Sequence, residues 1–173
     1  MDLDKAIRKV PDFPKPGILF YDVTSIFTNP PAFKFCIDEM IRLFPKDNVD
    51  GVIAIESRGF LMGACYAERC AVPLVLARKK GKLPGKTIEQ SYALEYGEAT
   101  LQIHIADLVA GKRYLIIDDL IATGGTIDAV AKMIERQKAQ VAGVFGVIGL
   151  PFLNYSAKIG AYAPKTLIDY HGE

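Results

Sequence analysis

Residues 114–126, YLIIDDLIATGGT, narrow the choice of fold more than any other stretch of this chain. Leu115, Ile116 and Ile117 form a short apolar run of the kind that fills a strand covered on both faces of a parallel sheet. Asp118 and Asp119 follow at its carboxyl end, the edge at which open α/β sheets bind ligands. Gly124 and Gly125 permit conformations and close approaches that a side chain blocks, and the hydroxyls of Thr123 and Thr126 can donate to anion oxygens. A helix beginning near Thr126 adds unpaired N–H groups and the positive end of its dipole. The unit is a strand, turn and helix suited to an anion, with two acids beside it able to hold hydroxyl groups.

The rest of the chain is consistent with one α/β domain built around that unit. Its 173 residues, 50% of them hydrophobic, suffice for a single sizeable core. Lysine and arginine total 21 against 20 acids, so no global charge draws the chain to nucleic acid or an anionic membrane, and any anion site is local. The N-terminus, MDLDKAIRKV, lacks an apolar targeting segment, and no stretch approaches the ~18 apolar residues of a membrane span. A soluble, cytoplasmic protein is expected. Cys36, Cys65 and Cys70 are odd in number and sit in apolar, helix-like runs, as reduced core thiols do. His104 and His171 stand alone and suggest neither a zinc site nor a catalytic triad.

Periodicity predicts a short helix over 2–9, then an arm over 10–22 interrupted by Pro11, Pro14 and Pro16. An amphipathic helix is expected over 31–44, a strand over 52–55, a glycine turn and helix to about Ala71, and a strand over 72–77. A basic loop over 78–86 precedes an antiparallel pair at 91–96 and 99–105, turned near Gly97. After the central strand come a helix over 126–138 and a strand within 141–149. Strands alternating with helices imply a parallel α/β core, with the hairpin inserted over its ligand edge. The tail after Leu150 carries no interpretable motif.

A second strand-to-helix junction, IESRGF at 55–60, also carries chemistry. Ser57 and Arg58 can present a hydroxyl, a guanidinium and backbone N–H groups to an oxyanion, and Gly59 allows a tight turn. A strained peptide bond, cis geometry included, is expected within Glu56, Ser57 and Arg58. The run RKKGKLPGK at 78–86 has five basic residues among nine. Its GKLPGKT end is not a Walker A loop, because three rather than four residues separate Gly81 from Gly85 and a hairpin, not a helix, follows.

The ordered pattern of apolar strand, two acids and Thr-Gly-Gly-Thr turn resembles the phosphoribosyl pyrophosphate (PRPP) signature of type I phosphoribosyltransferases. The fold implied is a central parallel sheet flanked by helices, with an N-terminal hood (about 1–30) and a flexible hairpin flap (about 78–105) in one domain spanning 1–173. The resemblance implies that Asp118 and Asp119 bind the ribose hydroxyls, and that Ala122, Thr123, Gly124, Gly125 and Thr126 bind the 5′-phosphate. It makes Ser57, Arg58, Arg78 and Lys79 the pyrophosphate-binding residues, and the basic run, with Lys82 and Tyr96, a flap that closes over the diphosphate.

The arm DFPKPGILFYD, the run SYALEYG and the basic loop resemble the adenine-specific branch of that family over nearly the whole chain. That likeness implies that Phe20 stacks on adenine while main-chain groups of Leu19 and Tyr21 read its edge. Relatives often carry arginine at the position of Tyr21; a main-chain contact tolerates the change, and the tyrosine side chain is left without an assigned role. Glu95 is the expected proton shuttle and, with Arg58, the catalytic pair. The implied reaction joins adenine and PRPP to give AMP and pyrophosphate, with Mg2+ held mainly through substrate and water, in a homodimer. Two alternatives remain: a transferase for 6-oxopurines, and a PRPP-binding regulator, which would need a nucleic-acid module that this length and charge do not supply.

Overall fold

A computed structural model describes residues 1–93 and 97–172. The chain opens with a two-stranded antiparallel ribbon, β1 (Arg8–Pro11) and β2 (Leu19–Asp22), followed by a one-turn α1 (Thr24–Phe27) and the long α2 (Pro30–Leu43). Next come β3 (Gly51–Ile55), α3 (Gly59–Cys70), β4 (Leu74–Lys79), and the antiparallel strands β5 (Thr87–Ala93) and β6 (Glu98–His104). The second half holds β7 (Arg113–Ile117), the short β8 (Leu120–Ile121), α4 (Gly125–Arg136), β9 (Gln140–Gly149), α5 (Ser156–Ile159) and β10 (Pro164–Asp169). One sheet runs in the order β10-β9-β7-β3-β4-β6-β5, with β8 also paired to β9. Pairs from β10 through β4 are parallel, and β4, β6 and β5 are antiparallel.

The central strands are central because nothing in them tolerates water. All five residues of β3, and Tyr114 through Ile117 of β7, are buried. One face packs on α2, α3 and the N-terminal segment through Cys36, Met40, Met62, Tyr66, Leu115 and Ile117. The other packs on α4 through Ile53, Ile55, Ile116, Ile127, Val130 and Ile134. Alternation along β7 thus serves two cores at once, as a doubly covered strand requires. Cys36 and Cys70 are buried and Cys65 half-buried, all as free thiols, and burial pushes the Cys36 thiol up to about 12. Among the described residues no helix is long and apolar enough to cross a membrane.

Several elements differ from the sequence expectations. The helix over 2–9 shrinks to one turn, in which Ile7 N–H donates to Leu3 O, because from Arg8 onward the backbone pairs with β2 instead. The strand expected at 72 begins at Leu74: Ala71, at φ 52°, and Val72, whose N–H donates to Ala67 O, serve as the C-terminal cap of α3. Arg78 and Lys79 belong to β4 rather than to the loop, and the hairpin begins at Thr87 rather than 91. The hairpin also joins the main sheet through β6 on β4, so it continues the sheet edge. The uninterpreted tail supplies β10, whose sparse apolar content suits an edge strand exposed on one side.

Candidate active site

Both strand-to-helix junctions open at the carboxyl edge of adjacent strands, since β3 and β7 are parallel neighbours with Ala54 opposite Ile117. Their separation is set by a glycine: a Cβ on Gly59 would lie 2.7 Å from Ile117 O and 3.3 Å from Asp118 Cα. Only glycine lets α3 start this close to the acids. The Glu56–Ser57 peptide bond is cis, within the three residues where unusual geometry was expected.

The acid pair is held by its backbone as much as by its side chains. Asp118 N–H donates to Phe145 O at 3.0 Å, and Asp119 O accepts from the N–H groups of Val147 and Ile148 at 3.0 and 3.1 Å, fixing the segment onto β9. Asp119 N–H donates to Asp118 Oδ1 at 2.9 Å. Asp119 is buried, and Arg58 Nε donates to its Oδ2 at 2.6 Å. Burial and then the adjacent charge of Asp119 raise the Asp118 carboxyl well above its ordinary value. Burial pulls Arg58 down, but the hydrogen bond and charge of Asp119, with Asp118 behind it, push it up overall.

Four hollows surround this edge. The first, about 300 Å³, is lined by Ser57, Arg58, Lys79, Tyr92, Asp118, Asp119, Leu120 and Thr126, among others. A second, about 70 Å³, is the turn itself: Asp118, Leu120, Ala122, Thr123, Gly124 and Thr126 with Ile121 and Ile127. Gly124 there has φ +77° and α4 begins at Gly125, so the helix N-terminus faces the hollow as the sequence predicts. A Cβ on Gly125 would meet Tyr92 and Ala93 at 3.6 and 3.7 Å, which places the hairpin beside the turn. The third, about 180 Å³ and apolar, lies under the N-terminal ribbon between Ile18, Leu19, Phe20, Tyr21 and the wall formed by Leu120, Leu150, Phe152 and Leu153. The fourth, about 430 Å³, opens on the ribbon beside Val10, Phe13, Phe20, Asp22 and Arg58.

Most of the expected residues therefore converge, and a few do not. Arg78 is absent from these walls: its guanidinium donates to Glu56 at 3.3 and 3.4 Å and to Lys82 O at 3.3 Å. Glu56 also accepts from Lys79 N–H at 3.0 Å. Burial opposes its charge, but Lys79 N–H and Arg78 together hold its carboxyl below the usual range. Lys82 is exposed on the loop. Glu95 and Tyr96 lie outside the described residues. Sequence reasoning missed Leu120, which reads as one more core aliphatic, and Tyr92, which stands in a quoted run but three residues before the glutamate that drew attention. It also missed the anchoring part of Glu56, whose partners Arg78 and Lys79 are distant in sequence and are brought to it by the pairing of β3 with β4, so no local signal was available.

The described residues offer no cluster of three or more His, Cys, Asp or Glu groups for a metal. Two carboxylates at the hollow's edge, one of them already engaged by Arg58, suit a cation that keeps most of its water or substrate ligands, as magnesium does.

The family model for the phosphoribosyl transferase domain matches residues 22–151. The adenine phosphoribosyltransferase of Treponema denticola is 53% identical over 171 residues, covering 99% of this chain and 90% of that protein. That of Haemophilus ducreyi is 45% identical, with 99% and 98% covered. Among solved structures, the Thermoanaerobacter pseudethanolicus adenine phosphoribosyltransferase superposes with TM-score 0.92 at 40% identity, 98% of each chain covered. The Saccharomyces cerevisiae enzyme, complexed with an imino-altritol bisphosphate and adenine, gives 0.90 at 36% identity, with 96% and 97% covered. With the family model matched over residues 22–151 and relatives this similar over nearly the whole length, the chain belongs to the phosphoribosyltransferase family, and within it to the adenine phosphoribosyltransferases.

Proposed function

We propose that the chain transfers the phosphoribosyl group of PRPP to adenine, releasing pyrophosphate and forming AMP. The observation that carries this is one shared wall: Leu120 lines the anion hollow, the phosphate turn and the apolar hollow under the ribbon. A ligand with a phosphate, a ribose, a diphosphate and a flat base needs three such spaces meeting at one carbon, the ribose C1′.

In this reading the turn from Ala122 to Thr126 holds the 5′-phosphate with backbone N–H and hydroxyl groups. Asp118 and Asp119 accept hydrogen bonds from the ribose hydroxyls, so Arg58 gives up part of its hold on Asp119 and turns to the diphosphate beside Ser57 and Lys79. Arg78 acts at one remove, through Glu56. Adenine lies between the Phe20 ring and Leu120, with its edge against the free side of β2. Leu19 and Tyr21, two residues apart on a strand, present their main-chain groups to the same edge, which is why a base can be read there whatever the side chain of Tyr21.

The chemistry follows from that placement. The C1′–oxygen bond breaks with its electron pair leaving on pyrophosphate, adenine N9 bonds to C1′ from the opposite face, and the proton displaced from the base passes to Glu95. Arg58, Ser57 and Lys79 stabilise the charge that grows on the leaving oxygens. Mg2+, when bound, would supply further neutralisation of the diphosphate.

A homodimer in the cytoplasm completes the proposal. An apolar hollow of about 560 Å³, lined by Phe27, Phe33, Phe60, Leu61, Ala64, Cys65, Leu74 and Leu76, leaves Leu61 48% and Leu74 38% exposed, a surface suited to a second copy. Three free thiols suit a reducing compartment. Incubation of labelled adenine with PRPP and Mg2+ tests the reaction: AMP and pyrophosphate in equal amounts are expected, whereas PRPP binding without AMP formation would make the chain a sensor.

A further inference from the structure

Tyr21 and Tyr170 stack with ring centroids 3.7 Å apart and planes 11° from parallel. Tyr170 follows β10, the edge strand of the main sheet, and its N–H donates to Gly149 O at 3.0 Å, so its backbone is fixed to the end of β9. Its hydroxyl donates to Asp4 Oδ1 at 2.8 Å. Lys9, which pairs across the ribbon with Tyr21, places its ammonium 5.7 Å from the Tyr170 ring centroid and 2.7 Å from Asp4. One ring thus meets both strands of the ribbon and the turn before them. Tyr21 is buried, and it and Phe20, next to it, both belong to the wall of the proposed base hollow.

From this geometry we propose that Tyr170 is a positioning residue for the base: by clamping Tyr21, Lys9 and Asp4 to the rim of the main sheet, it fixes the ribbon at the height where β2 can read adenine and Phe20 can cover it. The proposal rests on the assignment of the base to the hollow under the ribbon. It accounts for the tyrosine at position 21, whose ring stacks on Tyr170 and serves to hold the strand that carries the main-chain contacts. Substrate parts bound by the main sheet, the phosphate and diphosphate, do not depend on the clamp.

Steady-state kinetics of Tyr170→Ala and Tyr170→Phe test it. Loss of the stack in Tyr170→Ala should raise the KM for adenine by roughly tenfold, the scale of one aromatic pair, with the KM for PRPP within about twofold of wild type. Tyr170→Phe keeps the stack and loses only the bond to Asp4, and should restore most of the adenine KM. If Tyr170→Ala does not fold, Asp4→Asn together with Lys9→Met weakens the same clamp from its other side and should move the adenine KM in the same direction. Equal rises in both KM values, or an unchanged adenine KM in an active folded variant, would overturn the clamp. A wild-type protein that does not consume adenine at all would instead overturn the functional assignment on which it rests.

Discussion

The two halves of the proposed site are built on different principles. The phosphoribosyl half sits on buried parallel strands: the backbone of Asp118 and Asp119 is bonded into β9, Gly59 brings α3 against Ile117 O, and α4 starts at the glycine turn. The base half is a two-stranded ribbon outside the main sheet, joined to it near Tyr21 by a ring stack and cation–ring contact. A two-stranded ribbon is marginal by itself, so its position depends on side chains that can vary. On the proposed reading, the difference separates what phosphoribosyl transfer needs, a fixed anion cradle, from what would select the acceptor, a strand edge whose placement can be tuned.

Replacing both acids, Asp118→Ala with Asp119→Ala, should break the core half outright. A loss of at least about a thousandfold in kcat/KM is expected, since positioning and charge at the reacting carbon both disappear, with the circular dichroism spectrum of a folded protein retained. Activity near wild type would end the assignment of these carboxylates. In the ribbon, Phe20→Ala should weaken adenine by roughly ten- to a hundredfold, the worth of one base–aromatic stack, and leave PRPP binding nearly untouched. An equal loss for PRPP would mean the halves are not separable.

Gly125→Ala sharpens the contrast from the other side. A Cβ there finds its nearest neighbour at 3.6 Å, an ordinary contact, so folding should be little affected while close approach of a phosphate is hindered. The PRPP KM should rise about tenfold, the adenine KM should not, and isothermal titration with PRPP checks it.

The smallest effect concerns stability. Asp118 has a raised carboxyl value in the folded protein, so the fold holds its proton more tightly than the unfolded chain does. Stability is then favoured below the ordinary carboxylate value, about 3.9, and falls as pH climbs through the raised folded value. Asp118→Asn removes that cost and keeps an acceptor for Asp119 N–H. Its Tm should exceed the wild-type value by a few degrees at pH 7, with the gain fading toward pH 4. A gain that grows on acidification would reverse the sign of this reasoning.

The core half was legible in the sequence because its signals are local. An apolar run, two acids and a glycine turn occupy thirteen consecutive positions, 114–126, and each acts within a turn of its neighbours. The ribbon half was readable only through family likeness, since the roles proposed for Leu19, Phe20 and Tyr21 use main chain and one ring, which leave no local sequence signal. What escaped was non-local: Tyr170 and Asp4 are 166 positions apart, Leu120 is distinguished from a core leucine only by the three hollows it touches, and β10 becomes a strand because β9 offers an edge. The helix expected over 2–9 failed for the same reason, a partner strand outcompeting local periodicity.

Pyrophosphate release with adenine, hypoxanthine, guanine and xanthine each offered singly, at fixed PRPP and Mg2+, tests the central claim most directly. Release should be driven by adenine, with kcat/KM for each 6-oxopurine lower by at least about a hundredfold, because a strand edge matched to an amino group leaves a buried polar group unpaired when an oxo group replaces it. Comparable release with hypoxanthine or guanine would contradict the account: the core cradle would stand, but the ribbon would not be the element that chooses the base.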